Sequence, residues 1–360
     1  MRRLSERAAA DAGALQGTLH TGVVVGSELE AVLTGEIDEL AHSCGAPATA
    51  QGAWLLGTVV AIPDREPWAV VVRDGEGALH AAVVLLGADK SRVGDGGRTT
   101  VTLAGCAMGY RSAILADSRS AAALLGHGLT EVLVARGNRL RLQLGPVATD
   151  SPWLDDFTST LRGAEILSTD PIPSVCRLAG SNADDYLSSA IRRTLRKADN
   201  RAHTDGRHLF AQCTKDAGEI TSTLPEIERL HRERDHAQGR RSELDDVSGL
   251  RIWRSRLTAL AAQGLLELST LYIDGELASN VLSIVEPTTY RVLEGNLATR
   301  WARYAPGRVL EAAVLQRILD QPSVNSLDWM TAVAPDRLLA ANDSQAVSIV
   351  RADYPHSKNS

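Results

Sequence analysis

The alternation of apolar and polar positions predicts the same run of elements twice along the chain. The first run reads WAVVVRDGEGALHAAVVLLG, TTVTLAG, DSRSAAALLGHGLTEVLVARG and NRLRLQLGPV; the second reads STLYIDGELASNVLSIV, TTYRVLEGN, RYAPGRVLEAAVLQRIL and NSLDWMTAV. Each run predicts a hairpin with a Gly-containing turn, a further strand, a helix and a last strand. The matched positions are Asp74 and Asp274, Gly105 and Gly295, and Leu140 and Leu327. Two copies of one α/β unit predict a protein with two pseudo-symmetric halves.

Helical spacing of apolar residues predicts further helices around these two runs. They cover Ser27–Ala41, Pro152–Arg162, Asn182–Asn200, Leu224–Asp235 and Gly249–Gln263, and after the second run a helical stretch over 336–341 precedes a closing strand over 346–351. The segment STDPIPSV, from Ser168 to Val175, has two prolines and predicts an extended linker. We therefore expect an N-terminal domain over 1–167, a linker over 168–180, a C-terminal domain over 181–354 and a tail over 355–360.

Composition narrows the class of protein. The chain has 360 residues, 44% of them apolar, and a formal charge of −6, which is ordinary for a globular protein and gives no general attraction to nucleic acid or anionic membrane. The four cysteines have no CxxC spacing, so we expect neither a metal site nor a disulfide framework. The chain has no long apolar span and no apolar signal region at its start, so we expect a cytoplasmic protein without a membrane segment.

An anion-binding turn is predicted in the second run only. Ala305-Pro306-Gly307-Arg308 precedes a helix, where unpaired N–H groups and the positive end of the helix dipole favour phosphate. Arg300 and Arg303 add positive charge nearby. The alternative is that Pro306 only begins a helix. In the first run the matched turn has Asp117 and no glycine, which favours a functional role for the second turn.

Two carboxylates in the second run are candidate proton acceptors. Asp328 lies in LDWM on the last strand, and Glu294 lies in VLEGN on the strand before the helix. A carboxylate between apolar residues is costly to bury without a partner, so the alternative for Asp328 is a salt bridge to a nearby arginine. Tyr290 and Tyr304 are candidate proton donors to a leaving group, or else amphipathic packing residues.

Two charged segments have both functional and structural interpretations. The stretch 191–208 contains six Arg or Lys and two Asp, which predicts either a phosphate-contacting helix or a solvated helix face. The stretch 227–246 is dense in both signs of charge; His231 and Arg234 either line a substrate cleft or join a surface salt-bridge network. His231 and His236 are five residues apart and do not share a helix face, so they do not form a metal pair.

The order RRTLRKADNR, LHRERD, a Trp-containing helix, IDGELAS, YRVLEG, YAPGRVL and LDWM resembles the GNAT superfamily, in its acetyltransferase-6 or cellulose-biosynthesis branch. This branch is similar to the Fem aminoacyl-tRNA-dependent transferases, which have two GNAT-like halves. The resemblance covers roughly residues 180–342 and more weakly 50–150. It implies an α/β (α+β) fold of tandem GNAT-like halves, each a mixed, mostly antiparallel sheet flanked by helices.

The resemblance also implies roles for individual residues. The pyrophosphate of a CoA thioester would rest on backbone N–H groups of the cradle helix, and the donor side is completed by an Arg before the turn and an Asn after the last strand. The residues assigned to the donor are Arg303, Gly307, Arg308, Val309, Leu310 and Asn342. Those assigned to catalysis are Asp328, Glu294 and Tyr304, and those assigned to substrate are His231, Arg234, Tyr290 and Asn280.

Three hypotheses follow for the function. The first is an N-acyltransferase that moves an acyl group from acetyl-CoA or another acyl-CoA to a small-molecule amine, without a metal. The second is an aminoacyl-tRNA-dependent transferase that forms an amide and uses the basic segment 191–208 to hold tRNA. The third is a non-catalytic binding protein on the same fold.

Overall fold

The computed structural model describes residues 18–62, 64–87, 99–136, 139–149, 151–168, 171–330 and 341–354. Within these ranges the chain forms two mixed, mostly antiparallel sheets flanked by helices, one for each half. The predicted fold class is confirmed. The predicted tail over 355–360 and the predicted helical stretch over 336–341, except its last residue, lie outside the described residues.

The N-terminal half contains five α-helices and most strands of the first sheet within the described ranges. In chain order its elements are β1 His20–Val25, α1 Gly26–Thr34, α2 Glu36–Ser43, α3 Gly52–Ala61, β2 Pro67–Arg73, β3 Leu79–Leu86, β4 Thr99–Leu103, β5 Leu115–Ala116, α4 Arg119–Ala135, β6 Leu140–Ala148, α5 Leu154–Thr160 and β7 Glu165–Ser168. The predicted helix Ser27–Ala41 is two helices, because the chain breaks at Gly35.

The C-terminal half repeats this plan. Its elements are β8 Ile172–Arg177, α6 Ser189–Thr204, β9 Leu209–Thr214, α7 Ala217–Ala237, α8 Val247–Ala262, β10 Leu266–Ile273, β11 Glu276–Val285, β12 Thr289–Leu297, α9 Pro306–Leu319, β13 Ser326–Asp328, β14 Asp343–Gln345 and β15 Val347–Tyr354. Helices α7 and α8 cover one face of the sheet, and α9 covers the other.

Strand order shows that the last strand of the chain returns to the N-terminal sheet. The first sheet has the order β1-β2-β3-β4-β6-β15-β7 and the second has β9-β10-β11-β12-β13-β8-β14. The sixth place is therefore filled by the last strand of the chain in the first sheet and by β8 in the second. The segment 168–180, predicted as an extended linker, contains the strand β8, which pairs with β13 in the C-terminal sheet. Strand β15 lies within the predicted C-terminal domain over 181–354 but pairs in the N-terminal sheet.

A buried arginine joins the halves on the side of α3 and α8. The guanidinium of Arg256 donates to Thr58 Oγ1 (2.7 Å) and to the carbonyls of Ala107 (2.9 Å) and Ala104 (3.3 Å), and it lies 4.2 Å from the ring centroid of Trp54. Burial lowers the pKa of Arg256 to about 9. Helix α3 was not predicted; apart from Thr58 its residues are apolar or glycine, and most of them are buried.

Candidate functional site

The second sheet opens at the junction of β12 and β13. These parallel strands pair only from Thr289–Ser326 to Arg291–Asp328. Beyond that point β12 continues to Leu297 without a partner in β13, so the strands separate. A β-bulge lies in β12 at Leu293, between the pairs Leu282–Glu294 and Ser283–Val292. The bulge directs both Leu293 and Glu294 toward α7 and α8, beside the opening.

Glu294 is the centre of a buried polar cluster at this opening. Its Oε2 accepts hydrogen bonds from His231 Nδ1 (2.9 Å) and Trp253 Nε1 (3.2 Å). Its Oε1 lies 3.5 Å from Asn296 Nδ2, a long contact. Hydrogen bonds to Oε2 therefore orient the carboxylate, while Oε1 has only one long contact and keeps a lone pair that could accept a proton.

His231 lies between two carboxylates. Its Nε2 is 3.2 Å from Asp235 Oδ2, and its Nδ1 donates to Glu294. Each ring nitrogen therefore faces a carboxylate, an arrangement that favours the protonated form of the ring. Burial alone lowers the pKa of His231, but the hydrogen bond and charge of Glu294 outweigh it and raise the pKa above its ordinary value. His231 thus positions Glu294 rather than lining an open substrate cleft.

Arg234 contacts the backbone of the same strand, β12. Its guanidinium donates to the carbonyl of Gly295 (2.9 Å) and to Asp235 Oδ1 (3.1 Å). The structure therefore gathers His231, Arg234 and Glu294 in one cluster. The contacts of Arg234 fix the backbone of β12 next to the bulge.

Asp328 has the salt-bridge role that the sequence left open. Its Oδ1 accepts hydrogen bonds from Arg111 and from the backbone N–H of Met330 (2.8 Å), and its Oδ2 accepts one from Arg291 Nη1 (2.5 Å). Arg291 also pairs with Glu286 (2.8 Å). Both carboxylate oxygens are committed to donors, so Asp328 joins the halves and is a poor candidate for the proton acceptor.

The chain of the N-terminal half reaches into the opening through Tyr110 and Arg111, which we call the hook. The Tyr110 hydroxyl donates to the carbonyl of Leu293 on β12 (3.4 Å). Arg111 contacts Asp328 at the end of β13 and donates through Nε to the carbonyl of Met330 (3.2 Å). Two consecutive residues of one half therefore contact the two strands of the other half where those strands separate.

The hook could not be found from the sequence. It lies between β4 and α4, where the first run predicts only a connection. Neither Tyr110 nor Arg111 has a spacing from other residues that indicates chemistry. On the other side of Arg111, a cavity of about 300 Å³ lies between the halves, and its lining includes Arg291, Met330 and Ser112. A groove between the two halves is therefore present at this place.

The predicted tyrosines and Asn280 do not reach Glu294. Tyr290 is fully buried and donates to Glu267 Oε1 (2.6 Å), and burial raises its pKa. Tyr290 and Glu294 would share a face in a regular strand, but the bulge at Leu293 puts Tyr290 on the face covered by α9. Tyr304 donates to Asp205 Oδ2 (2.6 Å), and Asn280 is fully buried opposite Asn296. The two tyrosine hydroxyls are therefore held by Glu267 and Asp205 rather than by Glu294.

The cradle at the start of α9 is present in its backbone. Ala305 is the N-cap with φ of 47°, and it has no side chain that could accept from the first-turn N–H groups of Gly307 and Arg308. The matched helix α4 differs, because Ser118 Oγ accepts from Ala121 N (3.3 Å). The two copies therefore differ in how the helix begins: a side chain caps the start of α4, and no side chain caps the start of α9. Val309 and Leu310 follow in the same turn, with Leu310 in the core.

The positive charge expected at the cradle is largely neutralised. Each arginine lies beside an acid: the pairs are Arg300–Glu276 (2.9 Å), Arg303–Asp205 (2.9 Å) and Arg308–Glu311 (2.8 Å). Backbone N–H groups and the helix dipole are then the main attraction for an anion. Asn342 is also engaged, since its side chain accepts from Arg177 N (2.7 Å) and donates to Arg177 O (3.1 Å), which fastens β8.

Comparison with known proteins now adds to this geometry. Residues 189–336 match the model of the family described as acetyltransferase (GNAT) domain. The C-terminal half carries a GNAT domain. The match runs from α6 to beyond β13, and it includes the bulge, the opening and the cradle. No curated protein matches the chain.

Solved structures share the two-halved fold. FemX superposes with a TM-score of 0.58 at 11% identity, covering 91% of this chain and 96% of FemX. A conserved protein of unknown function from Bacteroides thetaiotaomicron gives 0.56 at 9% identity, covering 90% and 97%. The C-terminal DUF2156 domain of a putative lysylphosphatidylglycerol synthetase from Agrobacterium fabrum gives 0.53 at 10% identity, covering 89% and 92%. At these identities the likeness shows the fold alone.

In the part of the chain that the structure describes, no three His, Cys, Asp or Glu side chains are grouped so as to hold a metal ion. None of the described helices combines the length and apolarity required to span a bilayer.

Proposed function

We propose that the C-terminal GNAT domain transfers an acyl group from an acyl-CoA thioester, with acetyl-CoA as the first candidate, to the amine of a small molecule. The observation that carries this proposal is Glu294: a buried carboxylate at the opening between β12 and β13, fixed through Oε2 and weakly held at Oε1. A proton acceptor for an attacking amine needs this combination of fixed orientation and a free lone pair.

The donor end of the proposal rests on the start of α9. The uncapped N–H groups of Gly307 and Arg308 suit the pyrophosphate of CoA. A Cβ on Gly307 would meet two side-chain atoms, the end of Leu297 at 3.3 Å and Ser279 Oγ at 4.0 Å. The position can therefore accept substitutions without breaking the helix, which makes it suitable for a binding test.

The residues act in the following order. The cradle and the opening hold the donor, and this positioning supplies much of the rate. Glu294 Oε1 takes the proton of the amine as the amine nitrogen attacks the thioester carbonyl. His231 and Trp253 keep the carboxylate of Glu294 in place through Oε2 during the transfer. Asp328 maintains the joint between the halves.

Calorimetric titration with acetyl-CoA tests the donor site. We expect saturable binding that is lost in Gly307→Glu and retained more fully in Gly307→Gln, which has the same size but lacks the negative charge. A negative side chain is favourable at a helix start, so Gly307→Glu is expected to fold. Equal binding by the wild type and Gly307→Glu would refute the cradle.

Turnover tests the chemistry. Release of free CoA from acetyl-CoA is measured with a thiol reagent against a panel of primary amines. Glu294→Gln keeps the size and the acceptor oxygen but removes the proton acceptor, so we expect kcat to fall by about 10²–10⁴ while acetyl-CoA affinity is unchanged. Full activity of Glu294→Gln would assign the proton transfer to another group.

A second candidate donor is aminoacyl-tRNA, favoured by the exposed basic face of α6. Arg193, Arg196 and Lys197 are exposed on this helix. Arg192 instead donates to the carbonyls of Asp184 (2.8 Å) and Leu187 (2.9 Å) and fixes the start of the helix. The informative variant therefore reverses the charge at 193, 196 and 197 and leaves Arg192 intact.

Filter binding with a mixed charged-tRNA pool at low and high salt separates the two donors. Phosphate contacts make RNA binding fall steeply with salt. Salt-sensitive tRNA binding that the triple charge reversal abolishes, together with no acetyl-CoA binding, would favour the tRNA-dependent transferase. Acetyl-CoA binding that is indifferent to the triple change would favour the acyl-CoA transferase.

A further inference from the structure

We propose that the N-terminal half completes the active site of the C-terminal half, with the hydroxyl of Tyr110 as the proton donor to the departing thiolate. This inference rests on the proposed acyl-CoA transfer. It replaces the tyrosines expected from the sequence, Tyr290 and Tyr304, whose hydroxyls are held by Glu267 and Asp205 away from the opening.

Position is the first argument. Tyr110 and Glu294 line one small cavity of about 10 Å³, with Trp54 and Trp253 also in its wall. This volume is close to that which one water occupies. The Tyr110 hydroxyl donates to the carbonyl of Leu293, the bulged residue that precedes Glu294. A phenol and a carboxylate thus line the same cavity where β12 and β13 separate.

The protonation state fits a donor. Burial raises the pKa of Tyr110, and the charge of Glu294 raises it further, so the hydroxyl keeps its proton at neutral pH. The ring is held edge-on against Trp54, with centroids 5.1 Å apart. Arg111, the next residue, is tied to Asp328, so the backbone of the hook is anchored beside the ring.

The hook must move when the thioester binds, because the cavity at Glu294 is too small to hold a thioester. The part proposed to move is the Tyr110 side chain, because its hydroxyl is tethered by one long hydrogen bond of 3.4 Å, whereas Arg111 is held by an ion pair. Arg111 stays in its ion pair with Asp328 during this movement. The hydroxyl that leaves the carbonyl of Leu293 is then next to the entering sulfur.

The proton balance closes within the site. The amine nitrogen forms a bond to the thioester carbon, and the carbon–sulfur bond breaks with its electron pair going to sulfur. Glu294 takes the amine proton, and Tyr110 gives its proton to the thiolate. The tyrosinate then regains a proton from the carboxyl group of Glu294, directly or through one water. The net change is one proton moved from amine nitrogen to thiol sulfur.

The test compares Tyr110→Phe with Tyr272→Phe. Tyr272 is also half-buried, lies on β10 opposite Phe210 of β9, and serves as the matched control. Phenylalanine keeps the packing against Trp54 and removes only the hydroxyl. We expect Tyr110→Phe to lower kcat for acetyl-CoA by about 100-fold or more, with acetyl-CoA affinity within about twofold of wild type and Tyr272→Phe unaffected.

A second donor separates chemistry from packing. An aryl thioester releases a thiolate that needs no proton, so with that donor Tyr110→Phe should approach the wild-type rate. A defect of equal size with both donors would mean that Tyr110 only shapes the opening, and would overturn the proposal. Full activity of Tyr110→Phe with acetyl-CoA would overturn it as well, while leaving the proposed acyl transfer intact.

The proposed function can be refuted by results that do not depend on the Tyr110 variant. A wild-type protein that releases no CoA with any amine, or that does not bind acetyl-CoA, would refute acyl-CoA transfer and with it the role of Tyr110. Wild-type release of CoA that Glu294→Gln abolishes, combined with the donor-dependent defect of Tyr110→Phe, would support both.

Discussion

Removal of the Asp328 carboxylate should destabilise the protein more than it impairs chemistry. Asp328 is 3% exposed and joins Arg111 of the N-terminal half to Arg291 of the C-terminal half. In Asp328→Ala, two guanidinium groups at a buried joint lose this carboxylate. The backbone N–H of Met330 loses its acceptor too.

The magnitude follows from these contacts. Removal of one partner from a buried ion pair typically costs about 3–5 kcal/mol, because the remaining charge stays desolvated. Arg291 keeps Glu286 as a partner at 2.8 Å, which limits its share of the loss. We therefore expect the unfolding free energy of Asp328→Ala to fall by about 3–4 kcal/mol, the lower part of that range.

Equilibrium urea unfolding, followed by circular dichroism, measures this change. Asp353→Ala is the matched control, because Asp353 pairs with Arg141 at 2.8 Å in an exposed position, and Arg141 occupies the place in the first run that Asp328 has in the second. The control should lose less than about 1 kcal/mol. An Asp328→Ala protein with unchanged stability and no turnover would refute the structural role and make Asp328 the base.

The remaining predictions concern packing, proton balance and catalysis. Gly57→Ala should destabilise by about 1–3 kcal/mol in urea unfolding, because its Cβ would lie 2.9 Å from the Cα of Arg256 where α3 crosses α8; wild-type stability would show that the crossing relaxes. His80 loses affinity for protons through burial, but its hydrogen bonds to Asp117 (2.7 Å) and Asp74 raise its pKa overall. The contribution of His80 to the free energy of unfolding is therefore complete below the unfolded-state pKa and declines as pH rises through the higher folded-state pKa. In His80→Gln this decline in the free energy of unfolding should be absent, as measured by unfolding at a series of pH values above about 6.5. The same pH dependence in the variant as in the wild type would contradict the assignment of the decline to His80. Glu294→Gln should leave the free energy of unfolding within about 1 kcal/mol of wild type while turnover collapses, and parallel loss of both would indicate a structural carboxylate.

The sequence predicted the elements whose signals are local. The two hairpins, the helices at α4 and α9 and the strands at β6 and β13 follow from apolar periodicity and turn residues. The absent cap at Ala305 and the cap at Ser118 are visible in the sequence as well, because a helix start depends on the residues at its own end. The resemblance that places the GNAT domain used the order of such local motifs.

The face of a strand was harder to predict than the strand itself. Tyr290 and Glu294 are four residues apart, and regular alternation would put them together. One inserted residue at Leu293 reverses the alternation, which sends Tyr290 to the α9 side and Glu294 to the α7 side. A bulge depends on how the neighbouring strand pairs, so it has no reliable local signal.

The sequence by itself determined two α/β units, the uncapped helix start at the second unit and the presence of acids and tyrosines near it. Only the tertiary structure decided which acid is held for chemistry, because Asp328 and Glu294 differ in partners that come from distant segments: Arg111 for one, His231 and Trp253 for the other. It also decided that β15 joins the N-terminal sheet and that Tyr110 enters the opening. These features depend on contacts between residues far apart along the chain, and the free energy of such contacts is not encoded in any single stretch of sequence.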